Sequence, residues 1–288
     1  MRIVHVADEF IAGRGSQTTH HRFVVTIFGL YAREPGLSVP IGGLIDLLQE
    51  LDVDSSSARS SVSRLKKKGV LEQTGKGRYA LSTEAYNHLS RRNDRIYTPR
   101  HAENEGDWLM VVYTVPEDSR QARHLLRTGL QKMGFGSVNP GVWIAPAHLS
   151  EEATDYFETH DLTQYIQTFT STYNGPGESK AELGSWWDLE EIELRYVHFE
   201  RTYIGLLGNW RDRVSSLSQP ELDAEAFKAF IPMFTQWRTL PFLDPGLPKS
   251  VLPRTWAGYS AQKLFNDLNT LLSEGARAHA LRALAQKE

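Results

Sequence analysis

The residues best suited to do chemistry form one short run. From Ser55 to Lys68 the chain reads Ser-Ser-Ser-Ala-Arg-Ser-Ser-Val-Ser-Arg-Leu-Lys-Lys-Lys, with no acidic residue in it. Placed on a helix at about 100° per residue, Ala58, Val62 and Leu65 share a narrow apolar stripe. Ser56, Arg59, Ser60, Ser63, Arg64 and Lys67 occupy the opposite arc. A solvated helix ordinarily mixes Glu with Lys to gain i, i+4 pairs, and this one does not. Its outer face suits a polyanion instead. Small hydroxyl side chains let the backbone approach phosphates and base edges, and arginine can pair bidentately with guanine in the major groove.

The elements around this run must position it. Phe23, Ile27 and Leu30 predict a first helix from His20 to Ala32, closed by Glu34-Pro35-Gly36. Ile41, Leu44, Ile45 and Leu48 predict a second. The third is the basic run, with Ser55, Ser56 and Ser57 as N-cap candidates and Gly69 just past its end. Val70 to Gln73 and Arg78 to Leu81 then flank Thr74-Gly75-Lys76-Gly77 as a hairpin, with Lys76 at its tip and Arg78 on its return strand. That turn lacks the spacing of a phosphate loop. Three helices and a basic-tipped hairpin describe a winged helix-turn-helix, whose third helix would enter the major groove while the wing meets the backbone. The expected DNA-binding residues are Ser56, Arg59, Ser60, Ser63, Arg64, Lys67, Lys76 and Arg78. Residues 1–19 read as a flexible arm, residues 20–98 as the DNA-binding domain, and His20-His21 as a cap or surface pair. A helix behind Ser82 leads into a boundary at the Pro- and Gly-bearing stretch 97–106.

Charge follows the same division. The whole chain of 288 residues has a net charge of −3, which argues against a nucleic-acid partner until it is split. Residues 1–100 hold 15 basic and 10 acidic residues, and residues 55–100 hold 11 basic and three acidic ones. The remainder is acidic and would keep the rest of the molecule off DNA. Cysteine is absent, which removes thiolate nucleophiles, disulfides and Cys-ligated metals. With no membrane-length apolar run and no apolar leader, the sequence predicts a cytoplasmic protein with no membrane partner. No catalytic constellation, metal site or cofactor motif is evident, so no enzyme activity and no cofactor are expected.

Beyond residue 99 the pattern changes. Trp108 to Val115 reads as a buried strand, residues 122–133 as a helix, Val142 to Ala145 as a strand, a helix follows the N-cap candidate Ser150, and Tyr165 to Phe169 is a further strand. This order suits a small ferredoxin-like α+β domain over residues 99–175, a dimerisation or linking module. Residues 176–288 read as a helical domain: one long helix from Trp186, a second over 222–238 that Pro232 should kink or split, and a third over 257–285. Its aromatic residues could line a pocket for an acyl or aryl group, with arginines to hold phosphates. Trp187, Arg201, Trp237 and Arg238 are the effector-binding candidates. The fold class is therefore α+β multidomain, with an N-terminal winged helix-turn-helix, a central ferredoxin-like domain and a C-terminal helical domain.

Three stretches carry a family resemblance when taken in order: Ala58 to Leu65 with Gly69 and Gly77 to Ser82; Trp108 to Pro116 with Gly134-Phe135-Gly136 and Pro140 to Ile144; and Phe242 to Pro248 with Leu252-Pro253 and Trp256. Together they make the chain resemble the PaaX-type transcriptional regulators, typified by the repressor of phenylacetate catabolism. The resemblance implies a homodimeric repressor of an aromatic-acid operon, bound to a palindromic operator in double-stranded DNA and released by an aryl-acyl-CoA such as phenylacetyl-CoA. It also implies a central domain similar to a small CRISPR-associated nuclease. Metal-dependent cleavage there would need a carboxylate at the end of the first strand, where this chain has Thr114-Val115-Pro116, with Asp118 only afterwards. The alternative reading is an acyl-CoA-binding sensor or enzyme on the same scaffold without sequence-specific DNA binding.

Overall fold

The computed structural model describes residues 16–34, 37–91, 93–99, 102, 107–173, 185–249 and 251–285. The expected arm through residue 15, and parts of the boundaries near 100 and 175, lie outside the described residues. The chain packs as two compact units, each assembled from separate stretches. The first takes residues up to Asp94, Glu200–Thr239 and residues from Gln262 onward; the second takes Arg95–Phe199 and Leu240–Ala261. The C-terminal segment is thus shared between both.

The first unit opens with α1 (Ser16–Tyr31), β1 (Val39–Pro40), α2 (Ile41–Gln49) and α3 (Ser55–Lys67). It continues with β2 (Leu71–Gly75), β3 (Arg78–Leu81) and α4 (Thr83–Arg91). Helix α1 begins at Ser16, so the expected arm is too long by four residues. His21 is then a buried residue inside a helix, not a surface cap. The three strands form an antiparallel sheet in the order β1-β3-β2. The connector before α2 had no strand signal; it becomes one because Val39 and Pro40 pair with Tyr79 and Arg78. At only two residues long, it has no alternation to read.

The core of this unit is built from Val24, Ile27 and Phe28 of α1, Leu44, Leu47 and Leu48 of α2, and Ala58, Val62 and Leu65 of α3. Segments of three further helices complete it. The later part of α8 (Leu189–Val214) lies in this unit, as do α9 (Gln219–Trp237) and most of α11 (Ala257–Ala285). Helix α9 packs against α1, with Tyr31 meeting Phe227 at 6.5 Å between ring centroids. Trp237 stacks on Phe265 of α11 at 4.6 Å and 11°. Pro232 does not split α9, which runs through it. The start of α9 is fixed three residues before the expected one by Glu221, whose carboxylate accepts from the Ser218 N–H and hydroxyl at 2.9 and 2.6 Å.

In the second unit, α5 (Asn93–Tyr97), which begins in the first unit, precedes β4 (Trp108–Tyr113), α6 (Arg120–Met133), β5 (Gly136–Asn139), β6 (Val142–Pro146), α7 (Ser150–Thr159) and β7 (Ile166–Ser171); the short α10 (Leu240–Leu243) also lies in this unit. The β-α-β-β-α-β chain folds into an antiparallel sheet of order β5-β6-β4-β7. Strand β5 escaped the sequence reading because Gly-Ser-Val-Asn shows no apolar alternation. Ser150 is the first residue of α7 and Leu149 holds the cap position, where a Ser150 cap was expected. Leu109, Val111, Trp143 and Ala145 on one sheet face pack with Leu126, Leu130, Met133 and Phe157 of the two helices.

Candidate nucleic-acid interface

Helix α3 is held at both ends by local chemistry. Its N-cap is Asp54, not one of the three serines: the Asp54 Oδ1 accepts from the Ser56 N–H at 3.0 Å, the Ser57 N–H at 2.9 Å and the Ser56 hydroxyl at 2.6 Å. Aspartate wins because one carboxylate oxygen meets three donors and its charge suits the helix N-terminus. The Ser56 hydroxyl, followed by the Ser57 bonds, holds the Asp54 carboxyl well below the usual carboxylate range. At the other end Gly69 adopts φ +76°, the left-handed geometry that lets the chain leave the helix, and the Val70 N–H returns to the Leu65 carbonyl at 3.0 Å. A tight turn precedes α3. Asp52 takes φ +60° there, and the buried Val53 donates to the Leu48 carbonyl at 3.0 Å.

With its axis fixed, the helix divides as its spacing required. Ala58, Val62 and Leu65 are buried, and Ser61 is buried beside them. Ser56, Arg59, Ser60, Ser63, Arg64 and Lys67 are all exposed. Lys76 stands exposed at the hairpin tip, where Gly77 supplies φ +71°. The hairpin is tied to the helix by a residue that the wheel did not single out. Lys66 Nζ donates to Gln73 Oε1 at 2.7 Å, and Gln73 Nε2 donates to the Gly75 carbonyl at 3.1 Å.

Two of the counted cations are committed elsewhere. Arg78 is half-buried, its Nε donating to the Ser38 hydroxyl and its Nη2 to the Ser38 carbonyl, both at 2.9 Å. It fastens β3 to the segment leading into β1. Arg95 belongs to the second unit. Its guanidinium pairs with Glu152 at 2.8 Å, donates to the carbonyls of Pro241, Asp244 and Met133, and lies 5.0 Å from the Phe242 ring centre. Among the residues of this stretch whose side chains are described, the remaining cations lie on α3, just past its end, and at the hairpin tip.

The effector candidates fall in different places. Trp187 is buried in the second unit, its indole N–H donating to the Gly134 carbonyl at 2.8 Å and its ring against Trp108. Trp237 and Arg238 are buried in the first unit, where Arg201 is exposed. Asp118 follows the end of β4 and accepts from the Ser119 hydroxyl at 3.1 Å. Among the described residues no group of three or more His, Asp or Glu side chains is arranged to hold a metal ion. Among those same residues, no helix is long and apolar enough to cross a membrane.

Three family models match in sequence. Residues 20–85 match "PaaX-like protein", residues 101–183 "PaaX protein central Cas2-like domain" and residues 187–282 "PaaX-like protein C-terminal domain". The transcriptional repressor PaaX of Escherichia coli K12 is 23% identical over 247 residues, which cover 84% of this chain and 76% of that protein. The chain also shares its fold with a solved structure of the uncharacterized protein Rv0674 from Mycobacterium tuberculosis. That match has a TM-score of 0.50 at 21% identity and covers 89% of this chain and 96% of the other.

Proposed function

The chain belongs to the PaaX family of transcriptional regulators, which are not enzymes, and from that premise we propose that it is a repressor that reads its operator with α3. In this reading α1 to α3 and the β2–β3 hairpin are a winged helix-turn-helix. One observation carries it: every residue of the outward arc of α3 is exposed, and no carboxylate lies within that helix. Arg59 and Arg64 would reach base edges, the serines would permit close approach, and Lys76 would contact phosphate. Arg78 shapes the wing rather than touching DNA.

The test is a gel-shift series on the fragment upstream of the protein's own gene, against random DNA at two salt concentrations. Arg59→Ala or Arg64→Ala should cost about 1–3 kcal/mol and relax sequence preference, while Lys76→Ala should weaken binding to all sequences and lower the salt slope by about one. Wild-type affinity in both arginine variants would remove α3 from the interface.

The finer parts of the proposal rest on the family. The regulator acts as a homodimer on an imperfect palindrome, with the central βαββαβ module, read as ferredoxin-like, serving dimerisation or linking. An aryl-acyl-CoA such as phenylacetyl-CoA releases it. The packing of Trp187 and Trp237 occupies their rings and speaks against both as pocket walls, which leaves Arg201 and Arg238 as the candidates with free chemistry. A panel of CoA thioesters that neither shifts the melting temperature nor lowers operator affinity would end the effector reading.

A further inference from the structure

Arg22 on α1 and Arg238 at the C-terminal end of α9 lie on a polar seam between two packed helices of the first unit. Arg22 Nη2 donates to the Thr235 carbonyl at 2.8 Å, and the Thr235 hydroxyl donates to Thr26 Oγ1 at 2.8 Å. Thr26 is one turn on from Arg22, and Arg238 is one turn on from Thr235, so both arginines share the faces that meet here. Arg238 is only 4% exposed, yet its Nε and Nη2 have no hydrogen-bond partner, and neither has Arg22 Nε.

Among the described residues, no carboxylate pairs with either guanidinium. Arg238 feels Arg22, and Arg22 feels the phenol of Tyr203, itself raised to about 12 by burial. Burial first, and Arg22 second, pulls the Arg238 guanidinium well below its ordinary pKa; burial does the same to Arg22, with Tyr203 opposing. Buried charges are otherwise paired, because desolvation without a counter-ion is strongly unfavourable. Two carboxylates of this unit that are buried or half-buried follow that rule: Asp223 meets Arg282 at 2.7 Å, and Glu50 meets His279 at 2.8 Å.

We propose that Arg22 and Arg238 form a binding site for a small oxyanion, a carboxylate or phosphate group, which supplies a counter-charge that the described residues do not. Guanidinium forks match both groups in shape and number of donors. The site deepens the effector reading, with which it shares Arg238, but it needs neither a thioester nor DNA. Its second arginine carried no sequence signal, because Arg22 sits in a helix whose partner, α9, is some two hundred residues away.

The full-length protein in a chloride buffer is titrated with sodium phosphate, sodium acetate and coenzyme A at matched ionic strength, and followed by thermal unfolding and calorimetry. Wild type should show a saturable rise in melting temperature with at least one of them. Acetate alone would indicate a carboxylate, and phosphate with coenzyme A a phosphoryl group. Arg238→Met and Arg22→Met should abolish the response, and anion-free Arg238→Met should melt no lower than anion-free wild type, since an apolar side chain replaces an unpaired charge. No saturable response to any of the three anions, or one that persists in both variants, overturns the site; so does a lower melting temperature of Arg238→Met in chloride. Failure of this test leaves thioester-dependent release from DNA intact, and failure of that release leaves anion binding intact.

Discussion

Asp54 shows how one side chain sets the pose of a helix whose own residues face outward. Its three hydrogen bonds are made by the carboxylate, so the folded state lowers its pKa. A depressed carboxylate contributes stability that is complete above its unfolded value of about 3.9 and is lost as pH falls through the folded value. Asp54→Ala should therefore lower the melting temperature at pH 7, and the gap from wild type should close as pH drops below about 4. A gap that stays constant down to pH 2 would mean that the cap is not acting through its charge. At this scale the sequence was informative about type and less so about role. The serines were legible as cap formers, but three candidates and a neighbouring aspartate compete for the same N–H groups. The charged, better-placed acceptor takes them. Arg78 and Arg95 likewise read as cations, and only their packing shows that Ser38 and the Glu152 group claim them.

Among elements, α2 is held from behind by the end of α11. Gly43 of α2 lies so close that a Cβ there would sit 2.5 Å from the Ala283 carbonyl oxygen, a backbone atom that cannot swing away. Gly43→Ala should destabilise the first unit by roughly 1–3 kcal/mol, an overpacking cost, in chemical denaturation. It should also weaken operator binding less than Arg59→Ala at temperatures where both are folded. Unchanged stability would show that the α2–α11 approach is looser than described. In the second unit Arg95 plays the joining part, linking α5 to Glu152 of α7, Met133 of α6 and the loop at Asp244. The same loop is fastened by Tyr196, whose hydroxyl donates to Asp244 Oδ2 at 2.9 Å, and by the Gly246 N–H on Oδ1 at 2.8 Å. Arg95→Ala should cost on the order of 3 kcal/mol, because it removes the ion-pair partner of Glu152 and the donor to three carbonyls together; a loss under about 1 kcal/mol would argue that solvent replaces it. The Leu243 to Pro248 stretch, read in sequence as part of a proline-rich turn and of the family signature, is thus a backbone knot with Asp244 at its centre.

Across the whole molecule the linear order of segments and the order of packing differ. The N-terminal module looks self-contained in sequence, with its own helices, hairpin and charge. In the structure α9 and α11 supply Phe227, Phe230, Trp237, Phe265 and Leu268 to the unit that contains α1 to α4. A fragment ending at residue 98 should then lack a cooperative thermal transition by circular dichroism, whereas the full chain has one. A fragment that melts as sharply as the full chain would restore the module's independence. Acidic residues after residue 100 also find uses that the net charge concealed, as with Glu152 on Arg95, Asp223 on Arg282, and Glu225 on Arg213 and Lys228. By itself the sequence determined what local physics controls: the 3.6-residue stripe of α3, the glycine that ends it, the hairpin, the strands of the central sheet with apolar runs, and a cationic face with no carboxylate in its helix. The tertiary structure alone decided that Arg78 and Arg95 are committed elsewhere, that Trp187 and Trp237 are core, that a two-residue connector is a strand, and that Arg22 meets α9. Those outcomes depend on partners distant in the chain, and side-chain type and spacing carry no record of who those partners are.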